Sequence, residues 1–192
     1  MNVVIIDYGA GNIQSIRFAL ARLGITATLS DNVTTIKNAS HVIFPGVGEA
    51  SFAMEKLRST GLDKLVPTLK QPVLGICLGM QLMCNHTEEG NTDGLGIFDT
   101  AVVHFETNLN VPHMGWNTVK GKGLLFQDID VNSHFYMVHS FYAVPNDNMV
   151  GACTYDIPFA AALAKDNFYG TQFHPEKSGA VGARLLQNFL AL

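Results

Sequence analysis

Within the first ninety residues, short apolar runs and helical repeats take turns along the chain, and that rhythm restricts the fold more than any other feature. Val3 to Ile6 is an uninterrupted apolar run of the kind buried on both faces of a parallel sheet, and Gly9, Gly11 and Asn12 form a turn after it. Ile13, Ile16, Leu20 and Leu23 then recur at helical spacing. Ile25 to Leu29 and His41 to Phe44 read as the next strands, the second closed by Pro45-Gly46, and residues 50–58 and 62–69 as helices. Pro72 to Ile76 is a fourth strand that runs into Cys77, followed by a helix from Leu78 to Cys84 or His86. Such alternation implies a mostly parallel sheet with helices on both faces.

The second half changes character. Residues 100–106, 116–119, 135–138, 151–155, 160–164 and 168–172 read as strands with little helix between them, so antiparallel strands are expected on the main sheet. A last helix is expected from about Ser178 to Phe189. The fold class is therefore α/β, and with no repeat or linker residues 1–192 read as a single domain.

With 47% hydrophobic and 15% charged residues, the 192-residue chain can bury a substantial core. The formal net charge is −4 and no basic stripe occurs, which argues against nucleic acid as a partner. Cys77, Cys84 and Cys153 are too few and unpaired in spacing for a disulfide framework or a zinc site, so no metal is expected. The apolar run at the N-terminus is too short for a signal peptide, and no stretch approaches a membrane span. These features predict a soluble cytoplasmic protein.

Gly75-Ile76-Cys77-Leu78-Gly79 lies between the fourth strand and the helix that follows. A nucleophile placed there sits on a tight turn at the carboxyl end of a strand, with glycines where side chains would clash. The helix N-terminus favours the thiolate and offers amides to an oxyanion. The plainer reading is a small buried cysteine between packing glycines, which is the reading given to Cys84, on the helix flank, and to Cys153, in mid-strand. In Thr171-Gln172-Phe173-His174-Pro175-Glu176, a strand ending at Phe173 delivers His174 to the same sheet edge. Glu176, two residues on, can fix the imidazole, which would activate the thiol and protonate a leaving amine. Pro and Glu also suit an ordinary first helical turn; it is their occurrence together with the elbow that favours a Cys-His-Glu triad. Pro45-Gly46-Val47-Gly48 reaches the same edge and can turn backbone amides toward a ligand. Pro112-His113-Met114-Gly115-Trp116-Asn117 reads as a loop carrying the only Trp, either a core plug or an interface anchor. His139 reads as a satisfied loop histidine.

Together these residues resemble the triad class of glutamine amidotransferase domains. Within that class they are most similar to the glutaminase-subunit family of imidazole glycerol phosphate synthase, through Asp7 to Asn12, Pro45 to Gly48, Gly75 to Gln81, Pro112 to Asn117 and Gly170 to Ser178. The resemblance spans nearly the whole chain. It implies a flavodoxin-like sheet, a Cys77-His174-Glu176 triad and no cofactor. Gly48, Gln81, Glu89 and the backbone of His139, Ser140 and Phe141 would hold glutamine, with Glu88 a rival to Glu89. The family leads one to expect Tyr in place of Phe141. Amides around Gly46, Val47 and Gly48 and at Leu78 would stabilise the oxyanion. Ammonia would pass to a TIM-barrel cyclase subunit that docks at Pro112, His113, Met114, Gly115, Trp116 and Asn117. A pyridoxal phosphate synthase glutaminase would carry Gly-Gly-Glu-Ser in the glycine strand, which is absent here. The glutaminases of carbamoyl phosphate, anthranilate and GMP synthesis share the elbow but not this Trp segment. A regulatory module on a decayed scaffold would have lost part of the triad, and all three residues are present.

Overall fold

A strand can be apolar at every position only if both of its faces are covered. In the computed structural model, which describes residues 1–9 and 11–192, both faces of the first strand are covered. Ala10, within the opening motif, lies outside the described residues. The first half comprises Val3–Ile6 (β1), Ile13–Arg22 (α1), Thr28–Ser30 (β2), Val33–Lys37 (α2), His41–Gly46 (β3), Ala50–Thr60 (α3), Leu62–Leu65 (α4), Val73–Cys77 (β4) and Leu78–Leu82 (α5). The second half adds Cys84–Thr87 (β5), Thr92–Asp93 (β6), Phe98–His104 (β7), His113–Thr118 (β8), Lys120–Gly121 (β9) and His134–His139 (β10). It continues through Phe141–Ala143 (β11), Met149–Tyr155 (β12), Ile157–Lys165 (β13) and Phe168–Thr171 (β14) to Gly179–Leu190 (α6).

The strands β2-β1-β3-β4-β14 run parallel in that spatial order, the flavodoxin-like arrangement. Val3, Ile5, Ile43 and Leu74 pack on one side with Leu20 of α1 and Leu186 and Phe189 of α6. Val4, Ile6, Val42 and Phe44 pack on the other with Ile36 of α2, Leu57 of α3, Leu62 of α4 and Met80 of α5. Burying each such side chain contributes about 1.5–3 kcal/mol relative to exposure, so the alternation fixes the register of the layers. Helix ends follow local chemistry. The Asn32 side chain accepts from Thr35 N at 3.0 Å to start α2, and α3 stops at Gly61, whose φ of 73° suits a residue without Cβ. Beyond β14 the sheet turns antiparallel through β13 and β11, then continues to β7, β5 and β6.

Three expectations change. The helix after Cys77 ends at Leu82, and Cys84 opens β5 instead of lying on a helix flank. Cys84 pairs in parallel with Phe98, so a long-range ladder overrides the local helical pattern. The Trp-bearing segment is strand β8, paired antiparallel with β10 in a separate ribbon, with Trp116 opposite Tyr136. The helix expected over 62–69 is a single turn, Leu62–Leu65, that tightens into a 3-10 turn at Val66–Thr68, where Pro67 has no N–H to continue it.

The consequence for chemistry is positional. Gly46 pairs with Cys77, and Thr171 with Ile76, so the ends of β3, β4 and β14 lie side by side at one edge.

Candidate active site

Cys77 holds φ 55° and ψ −112°, a left-handed setting that a side-chain-bearing residue adopts at a cost of about 1–3 kcal/mol. Its neighbours leave no alternative path. A Cβ on Gly79 would run into the Phe44 carbonyl oxygen, and one on Gly75 would lie 2.8 Å from the Met80 nitrogen. A Cβ on Gly46 would collide with the Gly79 nitrogen. Helix α5 therefore presses directly onto β3 and β4, and the turn between strand and helix lifts the Cys77 side chain to the sheet edge.

His174 leaves the end of β14 with its backbone pinned: its N–H donates to the Tyr136 carbonyl at 3.0 Å, and its own carbonyl accepts from the Ser178 hydroxyl at 2.7 Å. Its Nδ1 lies 2.8 Å from Glu176 Oε1, and both side chains are buried. Burial alone would lower the imidazole pKa, but hydrogen bonds to Cys77 and Glu176, with their charges, outweigh it and push it up to about 10. The three expected triad residues thus converge, with an imidazole placed between a sulfur and a carboxylate. Such an arrangement can activate a thiol and hand a proton to a leaving group.

The sulfur opens onto a cavity of about 300 Å³. Val47, Gly48, Leu78, Gln81, Glu89, His139, Ser140 and Phe141, all expected from sequence, line it. Gly46 does not; it is the packing point under α5. Gly48 has φ 97° with open space where a Cβ would lie, so its conformation and not crowding demands glycine. Glu89 lines the cavity and accepts from the Ala50 N–H at 3.0 Å, whereas Glu88 turns away to accept from His104 N at 2.7 Å. Burial raises the Glu89 pKa, as does the nearby Glu49 charge, against the lowering effect of the Ala50 hydrogen bond. The Phe141 carbonyl already receives Gln81 Nε2 at 2.9 Å and His139 Nδ1 at 2.8 Å, so it shapes the cavity wall and is not free for a ligand.

His139 closes β10, so it is a strand residue and not a loop one, and its ring is satisfied as expected. Its Nε2 lies 3.0 Å from His113 Nδ1, and Asn117 Nδ2 lies 3.3 Å from His113 Nε2. His113 is buried and stacked on Tyr155 at 4.0 Å, which corrects its placement on an outer interface. Met114 and Trp116, by contrast, are 63% and 56% exposed, which removes the core-plug reading of the Trp. Pro112 is exposed and reaches the cavity rim, and Gly115 and Asn117 are half-buried.

Three further residues at the site carry no expectation from the sequence: Val138, which lines the cavity, Tyr8 and Gln172. The buried Tyr8 hydroxyl donates to the Pro45 carbonyl at 2.7 Å and braces the strand ahead of Val47-Gly48. Gln172 Nε2 donates toward Cys77 Sγ at 3.7 Å. Among the described residues, no cluster of side chains could hold a metal ion, and no helix is long and apolar enough to cross a membrane.

Residues 4–192 match the glutamine amidotransferase class-I family. The imidazole glycerol phosphate synthase subunit HisH of Bacteroides thetaiotaomicron is 52% identical over 196 residues, covering 100% of both chains. The subunit of the same name from Pasteurella multocida is 45% identical over 192 residues, 98% of this chain and 97% of that one. Among solved structures, a glutamine amidotransferase superposes with a TM-score of 0.79 at 18% identity, over 99% of this chain and 98% of its own. PurLQS from Thermotoga maritima gives 0.73 at 16% identity, over 99% and 97%. The solved structures show the shared fold, and the sequence identity along the whole length shows that the chain belongs to the class-I glutamine amidotransferases, in the HisH branch of that family.

Proposed function

We propose that residues 1–192 form one glutaminase unit that hydrolyses glutamine through Cys77, His174 and Glu176 and serves as the ammonia-supplying subunit of imidazole glycerol phosphate synthase in histidine biosynthesis. The observation that carries this reading is the positioned pair of His174 and Glu176, 2.8 Å apart and buried, beside a sulfur held on a strained elbow.

The Cys77 sulfur attacks the side-chain amide carbon of glutamine, and the C–O π electrons move onto oxygen. Backbone amides at Val47, Gly48 and Leu78 are the donors we assign to that oxyanion. As the C–N bond breaks, His174 gives its proton to nitrogen and ammonia leaves, so that a glutamyl thioester remains. Water then attacks the thioester carbon while His174 takes a proton from it. Collapse of this second oxyanion breaks the C–S bond and yields glutamate and the free enzyme. Glu176 holds the imidazole by Nδ1 throughout.

Glutamine fits the cavity for chemical reasons. Both Gln81 Nε2 hydrogens are used internally, by the Phe141 carbonyl and by Gln172 Oε1 at 2.8 Å, so Gln81 offers its own oxygen as an acceptor. With the Glu89 carboxylate, it suits an α-ammonium group. The partner we assign is a cyclase subunit with a TIM-barrel fold, whose product is imidazole glycerol phosphate together with aminoimidazole carboxamide ribotide. Exposed Met114 and Trp116 on β8 support docking there, since apolar side chains of that size presented together suit a protein partner. Three free, buried cysteines support the cytoplasm as the compartment.

The test is labelling with an electrophilic glutamine analogue, 6-diazo-5-oxo-norleucine, followed by peptide mass spectrometry. A single adduct on Cys77, blocked by glutamine, is expected. An adduct on Cys84 or Cys153 instead, or none, overturns the assignment.

A further inference from the structure

The register of β4 and β14 places Gln172 beside Cys77, because Thr171 pairs with Ile76 and each chain then advances by one residue. The chain bends at Gln172 and Phe173 just beyond β14, and Gln172 and His174 both reach toward the sulfur. Gln172 is fully buried, and a polar amide at such a position costs free energy unless all its groups are bonded.

The orientation of this amide follows from an acceptor that cannot donate. The Phe141 carbonyl receives Gln81 at 2.9 Å, so the Gln81 nitrogen must face it. The same nitrogen meets Gln172 at 2.8 Å, so the Gln172 oxygen must face Gln81. Its nitrogen is left facing Cys77 Sγ at 3.7 Å. A flipped Gln172 would set two NH2 groups against each other. His139 reinforces the anchor by donating its Nδ1–H to the same Phe141 carbonyl at 2.8 Å.

We propose that Gln172 is a further catalytic residue, donating its Nε2–H to the Cys77 sulfur and favouring the thiolate that attacks glutamine. The proposal rests on Cys77 being the nucleophile. A neutral thiol is a weak acceptor, whereas a thiolate is a charged one, so an N–H aimed at sulfur favours the ionised form. The other contact of the sulfur sharpens this preference. As a thiol, Cys77 donates to the Val138 carbonyl at 3.9 Å. As a thiolate it loses that bond and is held by Gln172 and by His174 instead. The remaining titratable groups around the sulfur are Glu176 behind His174, Tyr8, whose hydroxyl is committed to the Pro45 carbonyl, His139, committed to the Phe141 carbonyl, and Glu89 across the cavity. None of these presents a fixed neutral donor to the sulfur.

The test measures the rate of Cys77 alkylation by iodoacetamide against pH, read by peptide mass spectrometry, for the wild-type chain, Gln172→Met and Gln172→Glu. Removing a hydrogen bond made to the charged form should move the midpoint of the Gln172→Met profile alkaline by about one unit, slowing labelling about tenfold below it with the alkaline plateau kept. Gln172→Glu, which adds a negative charge, should move it further. In glutaminase assays the loss should fall on kcat and not on KM. If the Gln172 variants fail to fold, Gln81→Leu carries the test, because it frees the Gln172 amide to rotate and should give a smaller alkaline shift. Profiles superimposable on the wild type overturn the role of Gln172 alone. A wild-type chain that is not alkylated at Cys77 overturns the nucleophile assignment beneath it.

Discussion

Lowering the pH from 7 to 5 should destabilise this chain through two histidines that never touch the reacting bond. His139 Nδ1 faces a carbonyl, so it carries the proton, and its Nε2 must accept from His113 Nδ1–H. His113 Nε2 in turn accepts from Asn117. A proton added to either ring destroys an acceptor in this chain of bonds. Burial holds the His113 pKa down at about 4 and, with the His113 and His174 charges, holds His139 at about 3, against 6.5 for the free side chain. Both folded values are depressed, so the unfolded chain binds more protons below pH 6.5 and stability falls as pH falls. Each ring withholds nearly one proton per molecule across that window, which gives about 2 kcal/mol per ring and about 4 kcal/mol for the pair by pH 5. That is a large share of the roughly 5–15 kcal/mol typical of a domain. His41, also lowered chiefly by burial, adds in the same direction, while Glu89, raised by burial, opposes it. His174, raised to about 10, also opposes it: the folded ring is already protonated, the unfolded ring gains its proton as pH falls through about 6.5, and this stabilisation reaches its full value only below that. Urea unfolding at fixed ionic strength from pH 7 to pH 5 measures the loss, and ring-proton NMR assigns it. A flat stability, or a native His113 or His139 titrating near 6.5, would show that these rings do not set the acid sensitivity.

Three further outcomes are expected. His174→Ala should cost more glutaminase activity than Glu176→Ala, because the imidazole moves protons while the carboxylate orients it; a larger loss in Glu176→Ala, by steady-state kinetics, reverses those roles. Trp116→Ala should weaken cyclase binding by about 2 kcal/mol in calorimetric titration and leave the melting temperature nearly unchanged, since the ring is exposed and meets Tyr136 edge-on at 6.1 Å. The chain alone should turn glutamine over about two to three orders of magnitude more slowly than with its cyclase and the cyclase ligand, if one oxyanion donor is out of place until docking. Gly48, at φ 97°, is where that peptide can rotate, so Gly48→Val should blunt activation more than binding, and equal rates with and without partner would refute the gating.

The parts legible in the sequence were those whose cause is local. Val3–Ile6, residues 42–44 and residues 73–76 are continuous apolar runs because both their faces are covered, and the elbow glycines mark contacts of Cβ size with Phe44 and Met80. His174 and Glu176 were legible because a single residue separates them and a 2.8 Å bond closes that span. What escaped depends on partners far along the chain. β5 carries Asn85 and His86, with no apolar alternation, and is a strand only because β7 lies alongside it. The burial of His113 follows from Tyr155 and His139, residues 42 and 26 positions away, which no window of sequence contains. Gln172 gave no signal of its own, since its role comes from the β4–β14 register and from Gln81.

We propose that Cys77 performs the attack on glutamine and that the ammonia released feeds the synthase. The most direct measurement assays Cys77→Ser, combined with the cyclase subunit, for imidazole glycerol phosphate formation with glutamine and, separately, with ammonium salt as nitrogen donor. Serine keeps the shape of the elbow but cannot supply a thiolate near neutral pH. Glutamine-dependent synthesis should be abolished while ammonia-dependent synthesis proceeds at the wild-type rate. Glutamine-dependent synthesis persisting at the wild-type rate in Cys77→Ser would contradict this role of Cys77.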